Sequence, residues 1–335
     1  MLLEGLKVYH IRVSGVAEST VRLPEDQPGM AIRGAFFNSL WQRFCTNKEA
    51  RGCATCPLNQ ACPVSALVAP LRDENPRGRD IPRPYSIRPP LAKNSWQSGE
   101  TLQFGLTLFG KALPLLPYVA LAANAMGQGG VGLPDGTTRK RGRFRVTAVE
   151  AVNLLSGSCQ DLLDHQQQLH YPKLAVGAAE VEDYALSLAS DTLELEFLTP
   201  LRLVNQGELV RELSFRPFFQ RLIERMTALD REYSDQPTEG SRTYYELLEK
   251  TTKIKLLENQ TKWRDIGSYS AWQGRTTPIG GLIGRAVFHG DFTDLLSWLV
   301  WGEASQVGKD VVKGNGCYHL VSVKAHHCKS VEIHS

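Results

Sequence analysis

The stretch Thr101–Met126, TLQFGLTLFGKALPLLPYVALAANAM, places a strand directly before an apolar helix. Residues Thr101–Phe109 are rich in the β-branched and aromatic side chains that strands favour. An apolar helix is predicted from Leu113 to Met126. Pro114 and Pro117 are compatible with it, because they fall in its first turn, where proline is tolerated. This strand–helix pair is the middle of a larger α+β unit.

The rest of the first half surrounds this pair with further strands and a helix. Leu6–Val13 alternates as a strand does, and Arg143–Val152 is a second predicted strand. A helix is predicted from Met30 to Phe44, with apolar residues recurring every four positions. Those residues are Ile32, Phe36, Leu40 and Phe44.

The second half repeats the same order of predicted elements. They are a strand Thr192–Leu198, a helix Phe215–Tyr233, strand-rich segments Lys253–Leu257 and Arg264–Gln273, a strand Gly284–His289, a helix Phe292–Trp301 and a strand Cys317–Val323. Two successive βαββαβ units predict an α+β protein with two tandem ferredoxin-like (RRM-like) domains. The expected domains are residues 1–152 and 191–328, with a connector at 153–190 and a tail at 329–335.

Composition excludes disordered and fibrous classes, since 42% of the 335 residues are hydrophobic and 22% are charged. The N-terminal residues Met1–Lys7 do not show the basic region followed by an apolar region that is typical of a signal peptide. The longest uncharged run, Ala112–Pro134, is interrupted by proline and glycine, so no membrane span is predicted. We therefore expect a cytoplasmic protein that is a monomer or a weak dimer, with its cysteines reduced.

A net charge of +3 does not by itself indicate nucleic-acid binding, but the positive charge is clustered. Five cations lie within seven residues, at Arg139, Lys140, Arg141, Arg143 and Arg145. One interpretation is contact with RNA phosphates at the entrance to a strand. The alternative is a solvated basic loop.

Four cysteines form an insertion in the first domain, near residues 45–63. Cys45, Cys53, Cys56 and Cys62 follow the spacing C-x7-C-x2-C-x5-C. Four thiolates this close suit tetrahedral zinc, with an iron–sulfur cluster second and free cysteines as the other alternative. A closed four-cysteine shell leaves no position for water, so we expect one structural zinc and no catalytic metal.

A glycine-rich segment, VGKDVVKGNGCY, covers Val307–Tyr318 before the last predicted strand. Glycine lets the backbone approach a phosphate closely, and the two lysines add positive charge. In isolation such a segment is more often a turn. The candidate RNA-binding residues within it are Gly308, Lys309, Lys313, Gly314 and Gly316.

This segment resembles the glycine-rich loop of the CRISPR pre-crRNA-processing endoribonucleases, a family of the RAMP superfamily. Further matches follow in that family's order. They are Gly29–Phe37, Cys53–Pro57 with Ala61–Pro63, Pro82–Tyr85 with Arg88–Pro90, Leu106–Gly110, Phe197–Arg202, Tyr269–Ser270 with Gln273, and Gly280–Gly284. The resemblance extends from residue 29 to residue 318. A series of motifs in the family's order along this length is more specific evidence for the family than any one motif.

The resemblance implies an RNA-binding protein that holds a CRISPR repeat and cuts it without a metal ion. In that mechanism the RNA's own 2′-hydroxyl attacks, leaving a 2′,3′-cyclic phosphate and a 5′-hydroxyl end. The implied partners are repeat RNA or crRNA and the subunits of a CRISPR effector complex. One alternative is a non-catalytic RAMP subunit that caps the crRNA hairpin, and another is a zinc-stabilised structural or DNA-binding protein.

The catalytic base that the resemblance implies has no counterpart in this chain. Family members carry a histidine in or near the first helix, or just before the Val-Gly-Lys of the glycine-rich loop. This chain has no histidine in Met30–Phe44, and Gln306 precedes Val307. The catalytic candidates are therefore His10, Arg33, Lys309 and Lys313, with a structural role in the sheet as the alternative for His10.

Arg83 and Arg88 are candidate RNA-binding residues that flank Tyr85 in a proline-rich stretch. A cation beside an aromatic ring suits single-stranded RNA, which binds through phosphate contacts and base stacking. The alternative is an ordered proline loop.

Overall fold

A computed structural model describes residues 3–71, 81–238, 242–270 and 274–322. The first half is built around a five-stranded antiparallel sheet with helices on one face. Its elements are β1 (Val8–Ala17), β2 (Val21–Arg22), α1 (Pro28–Phe44), α2 (Pro63–Val68), β3 (Tyr85–Arg88), β4 (Ser95–Trp96), β5 (Thr101–Phe109), α3 (Leu116–Gly129), β6 (Val131–Pro134), β7 (Arg141–Gly142), β8 (Phe144–Val152) and β9 (Cys159–Asp161).

The first sheet has the strand order β3-β5-β1-β8-β9, and each neighbouring pair is antiparallel. Alternate residues of β1, among them Ile11 and Val13, are buried in one core with Phe36 of α1 and Val119 of α3. Since strand side chains alternate between the faces, His10 and Arg12 lie on the face opposite to this core. The alternation explains why one face carries helices and the other carries polar groups.

The second half has the same kind of construction around a second sheet. Its elements are α4 (Ala178–Ser187), β10 (Thr192–Leu201), β11 (Val204–Asn205), β12 (Glu208–Leu209), α5 (Phe215–Tyr233), α6 (Arg242–Lys250), β13 (Lys255–Asn259), β14 (Lys262–Arg264), β15 (Gly267–Ser270), β16 (Arg275–Pro278), β17 (Gly281–His289), α7 (Leu296–Ser305) and β18 (Tyr318–Ser322).

The second sheet has the order β13-β17-β10-β18, and β14 also pairs with β17. Phe197 of β10, Phe218 of α5 and Tyr318 of β18 are buried together, with ring centroids 5.5 to 6.2 Å apart. This core also takes in Val8 and Phe109 from the first half. The two halves therefore share apolar packing.

The mixed α+β class predicted from the sequence is confirmed, and its antiparallel sheets agree with ferredoxin-like folds. The connector has no clear periodicity in its sequence, and in the structure it contains β9 and α4. Within α4, Ala178, Val181 and Ala185 are buried, and the Glu180 side chain accepts a hydrogen bond from the Gly177 N–H. Tertiary packing stabilises this helix, which is too short to be stable alone.

Several predicted bounds also moved. The helix expected at Leu113 begins at Leu116 after a 3-10 turn, and the one expected at Phe292 begins at Leu296. The helix α6 was not predicted. Gln273, His326, His327, Cys328, His334 and the tail at 329–335 lie outside the described residues. Within the described part of the chain, no helix is long and apolar enough to cross a membrane.

Candidate functional site

A cleft of about 750 Å³ lies where α1 faces the glycine-rich segment, Val307–Tyr318. Its walls also include Gly129 and Gly130 at the end of α3, and Ser268 and Thr277 of the β15–β16 hairpin. Four cationic side chains line it: Arg33, Arg83, Arg141 and Lys313. We call this the cationic cleft.

The four cations come from separate parts of the chain. Arg33 projects from α1, Arg83 precedes β3, Arg141 belongs to β7, and Lys313 lies in the glycine-rich segment. Among the described residues that line the cleft, Asp310 is the acidic one. An excess of positive charge in one concave site favours a polyanion such as the nucleic-acid backbone.

Several of these cations are already oriented by the protein. The Arg83 Nε donates to the Val68 carbonyl over 2.9 Å, and Arg141 donates to the Gly132 carbonyl. Lys313 Nζ lies 2.8 Å from Asp310 Oδ1. By contrast, the Arg33 Nε is buried and has no hydrogen-bond partner among the described residues. The positive charge of Arg33 also lies close to the buried Tyr85 hydroxyl, where it opposes the rise that burial causes in the pKa of Tyr85.

The cleft exists because α1 and the glycine-rich segment touch. A side chain at Gly29 would place its Cβ 2.3 Å from the Lys313 carbonyl oxygen. Gly316 has a φ of +76°, and a Cβ there would lie 1.9 Å from the Val307 carbonyl oxygen. Glycine is required at both positions, because a side chain at Gly29 would push the segment away from α1 and one at Gly316 would clash with Val307 within the segment.

Backbone hydrogen bonds fix the glycine-rich segment against the second sheet. The Lys309 N–H donates to the Arg202 carbonyl over 2.9 Å, and the Gly316 N–H donates to the Pro200 carbonyl over 3.0 Å. The Lys309 side chain is exposed and does not line the cationic cleft. Lys313 is thus the lysine of this segment that the fold directs to the cleft.

Other predicted RNA-binding residues lie outside the cleft. Arg139, Lys140, Arg143 and Arg145 are exposed, and Arg143 forms a 3.3 Å ion pair with Glu18. Arg88 donates to the Glu303 carbonyl of α7. Of the basic cluster, Arg141 alone lines the cleft among the described residues, and the others extend the positive charge outward over the surface.

His10 is buried in the first sheet and is not among the residues that line the cleft. Its Nδ1 lies 3.2 Å from Thr107 Oγ1. Burial, together with the nearby charges of Arg88 and Arg12, lowers its pKa to about 3. The ring is therefore neutral near pH 7, and its surroundings fit the structural alternative.

His319 falls within the strand predicted at Cys317–Val323, and its side chain has a well-defined partner in the structure. Its Nδ1 lies 2.5 Å from Glu303 Oε1, and its side chain is 49% exposed. The hydrogen bond to Glu303 raises the pKa of His319, although partial burial opposes this. Sequence spacing gave no signal for this pair, because Glu303 lies in a helix and reaches His319 only through tertiary packing.

The four cysteines of the insertion lie at the ends of short elements. Cys45 follows α1, Cys53 and Cys56 bound a 3-10 turn, and Cys62 precedes α2. Burial raises the pKa of the Cys53 thiol, and the other three thiols add to this effect. Within the described ranges, however, no three histidine, cysteine or acidic side chains are grouped to hold a metal ion. Four cysteine thiols are a donor set that fits zinc. In the described residues, however, these thiols are not grouped to hold a metal ion.

Comparison with known proteins gives two family matches that together span most of the chain. The N-terminal domain family AF_1859_N matches residues 6–174. The CRISPR-associated endoribonuclease Cas6 family matches residues 195–318. No curated protein sequence matches the chain.

Solved structures share the fold at low sequence identity. A Thermus thermophilus Cas6 is 15% identical with a TM-score of 0.53, covering 94% of this chain and 99% of that one. A Cas6 product complex is 14% identical with a TM-score of 0.53, covering 94% and 100%. A partial Cas6-RT-Cas1–Cas2 complex is 13% identical with a TM-score of 0.57, covering 96% and 47%.

Proposed function

Because this chain belongs to the family of CRISPR-associated endoribonucleases that process precursor CRISPR RNA, we propose that it binds CRISPR repeat RNA and cuts it in the cationic cleft. The observation that carries this proposal is the convergence of Arg33, Arg83, Arg141 and Lys313 in one concave site. Such a site can hold a phosphodiester and neutralise the charge that develops on it during cleavage.

The proposed reaction needs no metal ion. The 2′-oxygen of the RNA attacks the adjacent phosphorus while a base takes the 2′-hydroxyl proton, and the bond from phosphorus to the 5′-oxygen breaks while an acid protonates that oxygen. The products are a 2′,3′-cyclic phosphate and a 5′-hydroxyl end. Arg33 and Lys313 are the residues that we propose stabilise the pentacovalent phosphorane. Exposed Arg139, Lys140, Arg143 and Arg145, with Lys309, would contact the RNA backbone outside the cleft.

The direct test is incubation of the full chain with its cognate repeat RNA in EDTA. We expect one cut that persists in EDTA and disappears when the nucleotide before the cut carries a 2′-deoxyribose. Tight binding of intact RNA would contradict the nuclease proposal.

That contrary outcome would instead favour a second function, a non-catalytic subunit that caps the crRNA hairpin in an effector complex. The observation that favours this alternative is the absence of histidine from the described cleft lining. The two functions share RNA binding and differ only in the cut, so the same incubation separates them.

We also propose that the two sheets are tandem ferredoxin-like domains, covering residues 1–152 and 191–328 and joined by the connector at 153–190. The matching strand orders of the two sheets support this division. Separate family matches to the two halves support it as well.

We propose further that Cys45, Cys53, Cys56 and Cys62 hold one structural zinc ion. Their spacing and the mutual influence of their thiols on the pKa of Cys53 support this. The zinc would tie the end of α1 to α2 and contribute to stability only. Elemental analysis of the purified protein should find one zinc per chain, and the Cys53→Ser variant should lose it. A folded preparation without bound metal would contradict the proposal.

A further inference from the structure

Gln306 lies at the end of α7, immediately before the glycine-rich segment, and its side chain is fully buried. Its φ is +64°, in the left-handed region that residues other than glycine seldom adopt. A fully buried amide in this conformation is held by its surroundings. It cannot contact RNA directly.

The Gln306 side chain joins two parts of the molecule. Its Nε2 donates to the Ile87 carbonyl of β3 over 3.0 Å and to the Asn315 carbonyl over 2.9 Å. Ile87 belongs to the first sheet, and Asn315 lies near the end of the glycine-rich segment. One amide group therefore ties this segment to the sheet whose helix α1 forms the opposite wall of the cationic cleft.

Neighbouring side chains hold this link in place. Arg225 of α5 donates from its Nε to the Gln306 carbonyl over 2.8 Å and from a terminal nitrogen to the Ser305 carbonyl over 3.0 Å. The Asn315 Nδ2 donates to the Ile279 carbonyl over 2.9 Å. The bridge is thus anchored to α5 on one side and to the strand region before β17 on the other.

We propose that Gln306 is a positioning residue, which fixes the glycine-rich segment so that Lys313 faces Arg33 across the cationic cleft. The proposal rests on the proposed RNA cleavage for its catalytic consequence. Its structural part, a buried amide that ties the segment to the first sheet, stands independently of that activity.

The chemistry of the link requires an amide. Both N–H bonds of the Gln306 side chain point to carbonyl oxygens, so a methionine of similar size would leave two buried carbonyls without these donors. A glutamate would place a carboxylate against the same carbonyls. Gln306→Met is therefore the sharper variant, because it changes hydrogen bonding with little change in volume.

A matched control is available at Asn153, another buried amide. Its Nδ2 donates to the Ala175 carbonyl over 3.0 Å, and its Oδ1 accepts from the Leu155 and Ser156 N–H groups. Asn153 does not line the cationic cleft. Asn153→Ala should lower the melting temperature without moving the glycine-rich segment.

The first measurement compares RNA binding with single-turnover cleavage. For Gln306→Met we expect a Kd for RNA of the same order of magnitude as that of wild type. Its cleavage rate should be about 10²-fold lower than that of wild type, since small displacements of catalytic groups slow a reaction by about this factor. Asn153→Ala should cut at the wild-type rate. Equal loss of rate in both variants, or none in either, would overturn the positioning role.

The second measurement does not depend on cleavage. Hydrogen exchange of the Lys309 and Gly316 amides, which are bonded to Arg202 and Pro200, should become faster in Gln306→Met and not in Asn153→Ala. Unchanged exchange in Gln306→Met would overturn the proposal. If the wild-type protein cuts no RNA, the proposed function fails while this measurement still decides the role of Gln306. Should Gln306→Met not fold, the shorter amide of Gln306→Asn is measured in the same way.

Discussion

His10 and His319 lie in different sheets, and their neighbours push their pKa values in opposite directions. His10 is enclosed with Arg88 and Arg12 nearby, so the neutral ring is favoured. His319 is half-exposed beside Glu303, so the charged ring is favoured. The sequence predicted that both belong to strands. It could not predict their charge, because burial and the partners Arg88 and Glu303 come from distant parts of the chain.

His10 should make the protein less stable as the pH falls. The unfolded chain takes up a proton at this residue near its ordinary pKa of 6.5, whereas the folded protein resists protonation until about pH 3. Between these values the unfolded state binds more protons, so unfolding becomes easier by up to about 1.4 kcal/mol per pH unit. His10→Gln lacks this contribution.

The measurement is the melting temperature of wild type and His10→Gln from pH 7.5 to pH 4. We expect the melting temperature of His10→Gln to fall less than that of wild type as the pH falls. The control His165→Gln, at an exposed position, should show the same change of melting temperature with pH as wild type. A difference in melting temperature between wild type and His10→Gln that does not change with pH would contradict a buried, neutral His10.

At the scale of elements, the site depends on one contact between α1 and the glycine-rich segment. Apolar periodicity predicted the helix, and glycine content marked the segment. Their contact spans more than 280 residues of sequence, and local patterns contain no information about it. Four predicted residues, Arg33, Arg83, Arg141 and Lys313, meet in the cleft, whereas Arg88 and Lys309 point elsewhere.

Two glycines of α1 test this contact as a matched pair. A Cβ at Gly29 meets the Lys313 carbonyl, whereas a Cβ at Gly34 meets nothing within 4 Å. Gly34→Ala should stabilise the protein by about 1 kcal/mol, since alanine favours the helix. Gly29→Ala should lower the melting temperature and slow RNA cleavage, because the segment must move. Equal melting temperatures for the two variants would contradict the packing of α1 on the segment.

At the scale of the whole molecule, the repeated order of strands and helices could be predicted from the sequence, and the α+β class followed from it. The connector's helix α4 and the helix α6 could not, because short helices depend on tertiary packing more than on their own propensity. The cleft belongs to this scale as well. Both halves supply its walls, the first half supplies three of its cations and the second half supplies Lys313, so neither half forms the site alone.

The central claim is that the cationic cleft cuts repeat RNA, and the most direct measurement is the single-turnover cleavage rate of Arg33→Ala and Lys313→Ala. Lys93→Ala is the control, since Lys93 is exposed, pairs with Glu100 and does not line the cleft. We expect each cleft variant to cut about 10²-fold more slowly than wild type, the usual cost of losing one charge-stabilising group, and the control to cut at the wild-type rate. Wild-type cleavage by both cleft variants would contradict the claim.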